Sequence, residues 1–166
     1  MSKRIRQYVG ILAAVAAYYV VHEGAHLFVA LHYGVFRKIN ILGLGVQIDV
    51  YADQMTGMQL GIFCLAGSVA TLVFAWALVL AAKRICRAKS KVFKAVMWYM
   101  TLAALLLDPL YLSVLCGFFG GGDMNGIALL VPETVARAAF ACIGIFHCAV
   151  IWKYLWRMYT ESFGEC

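Results

Sequence analysis

Charge is the property that this sequence has least of. Only 13% of its 166 residues are charged, whereas 64% are hydrophobic. Soluble domains have about 25% charged and about 45 to 50% apolar residues. The shortage of charge therefore excludes an ordinary soluble domain and indicates a protein of the membrane.

Two further features are missing. The six cysteines include no CxxC pair, and most lie within or beside apolar segments, so we interpret them as structural thiols. No internal repeat is visible in the sequence, which argues against an alternating-access transporter built from repeated halves.

Long apolar runs, in contrast, are abundant. Four segments, at about 8–31, 58–82, 92–119 and 135–155, can cross a bilayer core, which takes about 20 helical residues. Little chain remains for a soluble domain, so we predict an all-α polytopic membrane protein in which residues 1–166 form one membrane-embedded domain. The apolar run after MSKRIR is longer than that of a signal peptide, and we interpret it as a retained first helix.

Positive charge is concentrated at the ends of these segments. The chain has 14 Lys and Arg residues against 8 Asp and Glu, and 11 of the basic ones occur near the N-terminus, at 83–94 and at 153–157. Loops rich in Lys and Arg stay in the cytoplasm, so this pattern places both termini and the 83–94 loop there. We expect a multi-pass protein of the cytoplasmic membrane of a bacterium, whose basic residues contact anionic lipid and not nucleic acid.

The connection after the first segment contains a β pattern. In LGVQIDV, at 44–50, apolar residues alternate with small or polar ones, which predicts a short strand or hairpin. The backbone groups of such a strand must be paired at the membrane boundary. Two interpretations follow: a hairpin that caps the helix bundle, or a strand edge that accepts an extended substrate.

The third segment carries two breaks. Asp108 and Pro109 lie inside it, and the proline removes one backbone hydrogen bond and bends the helix. Three glycines at 120–122 can unwind the chain, so that Asp123 takes the N-cap position of a short helix that ends before Pro132. A broken helix at membrane depth is tolerated only where it lines a cavity or is buried in protein, so both breaks indicate a site.

The sequence HEGAH in the first segment carries the chemistry. Residues four apart lie on one face of a helix, so His22 and His26 can present both imidazoles to one metal ion. Glu23 lies to one side of that face, where it can act as a general base without being a ligand. Hydrolytic zinc sites combine imidazole ligands, a carboxylate base and an open position for a water whose pKa the metal lowers toward ~7.

The location of HEGAH inside a membrane helix is itself informative, because ionisable residues there are costly and by default functional. An alternative, in which both histidines only make interhelical hydrogen bonds, gives Glu23 no role. Catalytic zinc has three protein ligands as a rule, and the chain offers Asp108, Asp123 and His147 as the third. The residues alone leave this choice open.

The order of these features resembles the site-2 protease family of intramembrane zinc metalloproteases, and most of all its small, minimal members. After HEGAH and the strand-bearing connection, LAGSVATLVFAWAL and GGDMNGIALL occupy the places of the family's second helix and late Asp motif. Gly67 matches a family Gly-Pro dipeptide in which Ser68 here replaces the proline, and the late motif departs from the family's Asp-Gly form. The resemblance implies that Asp123 completes the zinc site, with Asp108 as the alternative ligand or the orienter of a histidine, and Asn125 as an oxyanion donor.

The resemblance also implies a function. We expect an intramembrane zinc metalloendopeptidase, a protease in which Zn²⁺ is held by His22, His26 and Asp123. Glu23 would be the general base, and the partners would be the lipid bilayer and a membrane-spanning or membrane-associated protein or peptide substrate. Two alternatives belong to other classes: a non-catalytic membrane scaffold or binding protein that keeps this fold around a structural metal, and a metal or proton transporter.

Overall fold

The computed structural model describes residues 2–42, 45–118 and 122–164. Its elements in chain order are α1 (Lys3–His32), β1 (Phe36–Leu42), β2 (Gly45–Val50), α2 (Gly57–Cys86), α3 (Lys91–Ser113), α4 (Asp123–Ile127), α5 (Glu133–Val150) and α6 (Trp156–Gly164). A π-helical turn, Ile151–Leu155, joins α5 to α6, and single 3₁₀ turns follow β2 and α3.

Four helices within the described ranges are long and apolar enough to cross a membrane: α1, α2, α3 and the continuous helix over 133–164. This confirms the predicted number of long apolar helices. The fourth helix extends beyond the predicted end, 155, to Gly164. The predicted end of the third, 119, was wrong, because α3 ends at Ser113. Phe119 itself lies outside the described residues.

A side chain from another helix fixes the end of α3. Arg137 of α5 donates from Nε to the carbonyl of Ser113 at 3.1 Å and from Nη2 to that of Val114 at 3.3 Å. Glu133, one turn earlier in α5, accepts a hydrogen bond at its Oε1 from Nη1 of the same guanidinium at 3.1 Å. The last carbonyls of a helix have no partner inside it, so this contact satisfies them and favours a stop at Ser113.

The strands β1 and β2 form an antiparallel two-stranded sheet in the part of the chain that the structure describes, with Ile39 opposite Ile48. This confirms the predicted β connection after the first helix and adds β1, which the alternation at 44–50 did not indicate. Ile48 and Val35 are buried in one apolar cluster with Phe63 of α2. Leu44, the first residue of the predicted strand, lies outside the described ranges.

The helix α3 is central, because it packs against α1, α2 and α5. It approaches α1 closely at Gly10, where a Cβ would lie 2.5 Å from Cδ2 of Tyr99 and 3.1 Å from the carbonyl oxygen of Ala95. A larger residue at Gly10 would therefore push the two helices apart. The core position of α3 places Asp108 inside the bundle, where it is 1% exposed.

Pro109 lies inside α3, and the helix continues across it. Because proline has no N–H, the carbonyl of Leu105, four residues earlier, loses its helical partner. His147 of α5 donates from Nδ1 to this carbonyl at 2.7 Å. His147 therefore satisfies the group that Pro109 leaves unpaired, and it does not belong to the cluster of metal-ligand atoms found among the described residues.

Candidate metal centre

His22 and His26 lie one turn apart on the buried face of α1 and are 7% and 3% exposed. Their ring centroids are 4.8 Å apart. The carbonyl oxygen of Phe63 in α2 lies 2.7 Å from Nδ1 of His26. A carbonyl only accepts hydrogen bonds, so neutral His26 carries its proton on Nδ1, and the lone pair of Nε2 is available to a metal ion.

The short helix α4 supplies a carboxylate to these rings. Asp123 Oδ2 lies 3.1 Å from Nε2 of His22 and 3.4 Å from Nε2 of His26. Burial alone would raise the pKa of Asp123, but when the two imidazoles are protonated, their hydrogen bonds and charges lower this pKa to about 2. A metal ion would take the place of the protons on the two Nε2 atoms. Asp123 is therefore ionised, which is the form that binds a cation.

Asp123 is the first residue of α4 and not its N-cap, which corrects the prediction. The N-cap is Gly122, whose φ of +44° is a conformation that L side chains rarely adopt. The Asp123 carboxylate contacts the two histidines. Gly120 and Gly121, the remainder of the predicted glycine break, lie outside the described residues.

The helix α2 approaches both histidines at Gly67. A Cβ at this position would lie 2.5 Å from Nε2 of His26 and 2.6 Å from Nε2 of His22. Real Cβ atoms essentially never come within 3.0 Å of another heavy atom in this way. Gly67 therefore leaves open the space beside the two nitrogens that an ion bound by them would need.

His22, His26 and Asp123 together offer three ligand atoms within 4.8 Å of one another. Zinc binds imidazole nitrogen and carboxylate oxygen at about 2.0 to 2.2 Å, so two ligand atoms in a tetrahedral site are about 3.3 to 3.6 Å apart. The distances from Asp123 Oδ2 to the two nitrogens, 3.1 and 3.4 Å, are close to this separation. The donor types, their spacing and the space beside Gly67 fit an ion of this kind.

Asp108 lies on the other side of the His22 ring. Its Oδ1 is 3.3 Å from Nδ1 of His22, which is within ion-pair distance but not aligned as a hydrogen bond. The hydroxyl of Tyr18 donates to Oδ1 at 2.5 Å, and that of Thr71 donates to Oδ2. Both oxygens of Asp108 thus accept hydrogen bonds, and Oδ1 also lies near Nδ1 of His22, the ring nitrogen opposite to the one near Asp123.

Sequence reasoning missed Tyr18 and Thr71. Tyr18 lies one turn before His22 on α1, and its ring stacks on the imidazole with centroids 5.2 Å apart. Thr71 lies one turn after Gly67 on α2. The i, i+4 spacing from a recognised site residue was the available signal in both cases. This spacing identifies a particular residue only when it is known which faces of α1, α2 and α3 are in contact.

Glu23 is half-buried and faces the hairpin. Its Oε2 accepts a hydrogen bond from the backbone N–H of Ile48 at 3.1 Å. A cavity of about 360 Å³ opens beside Glu23, and the three candidate ligands and residues 45–48 of β2 line it together with four aromatic side chains, Tyr18, Tyr19, Phe63 and Tyr111. Asn125, expected as an oxyanion donor, is exposed on α4 and is not among the lining residues of this cavity.

Comparisons with known proteins gave no assignment: no family model, curated protein or solved structure matches this chain.

Proposed function

We propose that this protein is an intramembrane zinc metallopeptidase that hydrolyses a peptide bond in or near a membrane-spanning substrate. One observation carries the proposal. Two imidazole Nε2 atoms and a carboxylate oxygen converge in a cavity that also contains a second carboxylate, Glu23. A structural metal site has no use for a separate base, whereas hydrolysis needs one.

The outer surface of the helices supports the membrane part of the proposal. Large apolar side chains on the long helices are widely exposed, such as Phe28 at 73%, Leu80 at 81% and Ile145 at 72%. Exposed apolar surface of this extent is unfavourable in water and favourable in lipid. We therefore propose a multi-pass membrane protein with its cavity embedded in the bilayer, and, from the charge pattern, with both termini in the cytoplasm.

The roles of the residues follow from their positions. His22, His26 and Asp123 would hold a zinc ion, which when bound supplies the Lewis acidity that activates water and polarises a carbonyl. Glu23 would take a proton from the attacking water, because its carboxylate lines the same cavity without belonging to the ligand cluster. The N–H of Ile48 holds Glu23 Oε2 in place. Asp108 and the Phe63 carbonyl would fix the two imidazole rings.

The strand β2 would bind the substrate in extended form. β1 pairs with one edge of β2, while the N–H of Ile48 points from the other edge to Glu23. Residues two apart in a strand direct their backbone groups to the same side, so the N–H of Val46 faces this second edge. A peptide bond in a helix is not accessible to attack, and pairing with this edge would hold an unwound segment beside the cavity.

A proline at Val46 tests this binding mode, with Val46→Ala as the matched control. We expect Val46→Pro to abolish cleavage of a membrane-spanning reporter peptide that contains a helix-breaking Asn-Pro segment, because proline removes the edge N–H. Val46→Ala should cleave at close to the wild-type rate. Equal cleavage by both variants, each with unchanged zinc content and thermal unfolding, would rule out pairing at this edge.

Metal content tests the proposed function first. Wild-type protein purified in detergent should contain about one zinc per chain, as a site with three protein ligands predicts. Asp123→Ala should lose the ion, whereas Glu23→Gln should keep it and lose cleavage of the reporter peptide. Well-folded wild type that takes up no zinc after reconstitution would overturn the proposal. A Glu23→Gln variant that cleaves at the wild-type rate would overturn the role of Glu23 as the base. Wild-type protein that binds zinc but does not cleave the reporter peptide would favour the non-catalytic scaffold.

A further inference from the structure

A second cavity lies at the other end of the bundle. It has a volume of about 430 Å³ and is lined by residues of α1, α3 and α6. The nearest α1 residues that line the two cavities, Gln7 and Tyr18, are 11 positions apart, so at about 1.5 Å per residue roughly 16 Å of helix separates the cavities. The mechanism proposed above uses none of its residues.

The charged residues that line this cavity, among those the structure describes, are all basic. Lys3 and Arg6 of α1 and Lys91 of α3 line it, and none of the described residues that line it is acidic. Lys3 and Lys91 are the first residues of their helices, so the partial positive charges of two helix N-termini add to those of the side chains. The cavity is therefore suited to an anion.

The other wall of the cavity is aromatic. Trp98, Trp156, Tyr159 and Phe163 line it, and the ring of Trp98 lies 4.8 Å from that of Tyr159 and 6.1 Å from that of Trp156, between centroids. A cavity of this size lies within the range of small-molecule sites, about 300 to 1,000 Å³. Its ligand would thus have an anionic part and an apolar part.

Lys94 fixes the wall in position. It is fully buried, its ammonium donates to the carbonyl of Ser162 in α6, and it lies 5.3 Å from the centroid of the Phe163 ring. These contacts fasten α6 to α3 and place one more positive charge beneath the aromatic side chains. The α3 and α6 walls of the cavity are therefore joined by contacts within the protein.

We propose that this cavity binds the headgroup of an anionic phospholipid. The three basic side chains would contact the phosphate, and the aromatic wall would contact the glycerol and the first carbons of the acyl chains. The location supports a lipid, since the cavity opens at the ends of two long apolar helices, where Trp, Lys and Arg meet the headgroup region. The inference depends on the membrane insertion proposed above and is independent of zinc and of peptidase activity.

The test is a binding titration on the full chain in neutral detergent. The probe is dihexanoyl-phosphatidylglycerol, with dihexanoyl-phosphatidylcholine as the neutral lipid and inorganic phosphate as the small anion. The cavity variant is Lys3→Gln with Arg6→Gln and Lys91→Gln. The control variant is Lys83→Gln with Arg84→Gln and Lys89→Gln, three exposed residues that change the net charge equally and do not line the cavity.

We expect wild type and the control variant to bind phosphatidylglycerol with affinities within about threefold of each other. The cavity variant should bind about 100-fold more weakly, at about fivefold per removed charge near the anionic headgroup. Phosphatidylcholine and phosphate should each bind at least tenfold more weakly than phosphatidylglycerol. Circular dichroism melting in the same detergent checks that the variants are folded.

Three results would overturn the proposal. Equal weakening in both variants would mean diffuse attraction to a basic surface. Equal affinity for both lipids would mean that the headgroup charge is not recognised. Phosphate that displaces phosphatidylglycerol at equal concentration would mean a site for small anions. If the cavity variant fails to fold, Trp156→Ala, at an exposed position of the wall, should weaken phosphatidylglycerol binding but not phosphate binding, and equal effects on both would overturn the proposal.

Discussion

The two sides of the His22 ring differ in a way that explains why the chain contains two aspartates at this depth. On the cavity side, Asp123 comes from a five-residue helix, has a side chain that is 22% exposed, and lies near Nε2. On the helix side, Asp108 comes from a long helix, has a side chain that is 1% exposed, and lies near Nδ1. The same residue type is thus open to a ligand at one position and enclosed at the other.

The hydrogen bonds of the two carboxylates show the same contrast. Asp108 receives the hydroxyls of Tyr18 and Thr71, so its oxygens are occupied by groups of the protein itself. Within the part of the chain that the structure describes, the polar side-chain contacts of Asp123 are those with the two histidines. Asp123 also lines the cavity. An aspartate near a histidine is therefore a candidate ligand only when its remaining oxygen lone pairs face open space.

The largest expected effect is at Gly67, on the cavity side. We expect Gly67→Ala to abolish zinc binding, because the added Cβ would lie within 2.6 Å of both Nε2 atoms. Gly24→Ala, in the same HEGAH sequence, is the control, since a Cβ there meets nothing within 4 Å. Zinc content after reconstitution measures both variants. If Gly67→Ala kept a full complement of zinc, the ion would not bind between these two nitrogens.

Replacing each of the two aspartates separately by asparagine tests the comparison directly. We expect Asp108→Asn to weaken zinc binding by about 10- to 100-fold, the usual effect of removing a partner that orients a metal ligand. Asp123→Asn should weaken it beyond that range, because a ligand is lost. Competition with a chromophoric zinc chelator gives both affinities. The reverse order of effects would make Asp108 the ligand and Asp123 the orienting residue.

A smaller effect is expected at Tyr18. Tyr18→Phe removes the hydroxyl that binds Asp108 but keeps the ring that stacks on His22. We expect zinc affinity to fall by about tenfold, at the lower end of the range for groups that support a ligand. In an Asp108→Asn background the same change should have little further effect, because the hydroxyl acts through Asp108. If the losses of zinc affinity from the two changes were fully additive, the Tyr18 hydroxyl would act on the metal site independently of Asp108.

The smallest effect on the metal is expected at His147, on the helix side. His147→Leu leaves the Leu105 carbonyl buried and unpaired, which costs about 1 to 3 kcal/mol of stability. Pro109→Ala restores a backbone N–H that can bind this carbonyl, so the loss on changing His147 should be smaller in that background. Thermal unfolding in detergent measures the loss, and zinc affinity should change by less than about tenfold. Equal losses in both backgrounds would mean that His147 does not compensate for the proline.

Features that depend on one segment could be predicted from the sequence. The four long helices follow from apolar runs, and the juxtaposition of His22 and His26 follows from helical spacing. Features that depend on contacts between segments could not. The end of α3 is set by Arg137, 24 positions after Ser113, and no local pattern in α3 indicates it.

The candidate site also has features that the sequence could predict and features that depend on contacts between segments. The sequence suggested Asp123 and Asp108 as alternatives, and the resemblance to a known family favoured Asp123. Only the relative rotation of α1, α2 and α3 about their axes shows that Asp108 faces Tyr18 and Thr71. A hairpin was among the predictions, but the position of its first strand, β1, was not given, because FRKINIL contains two basic residues and alternates less clearly than the strand that it pairs with.

The separation between the two halves of the candidate site has a consequence for biosynthesis. His22 and Asp123 are 101 positions apart in the chain. At a synthesis rate of about 5 to 20 residues per second, Asp123 leaves the ribosome about 5 to 20 seconds after the histidines. His147, which stabilises the helix that carries Asp108, is made later still. If the protein is inserted in the membrane as proposed, a nascent chain would enter it with its histidines in place and without the proposed third ligand. The proposed metal site could form only after about three quarters of the 166 residues have been made.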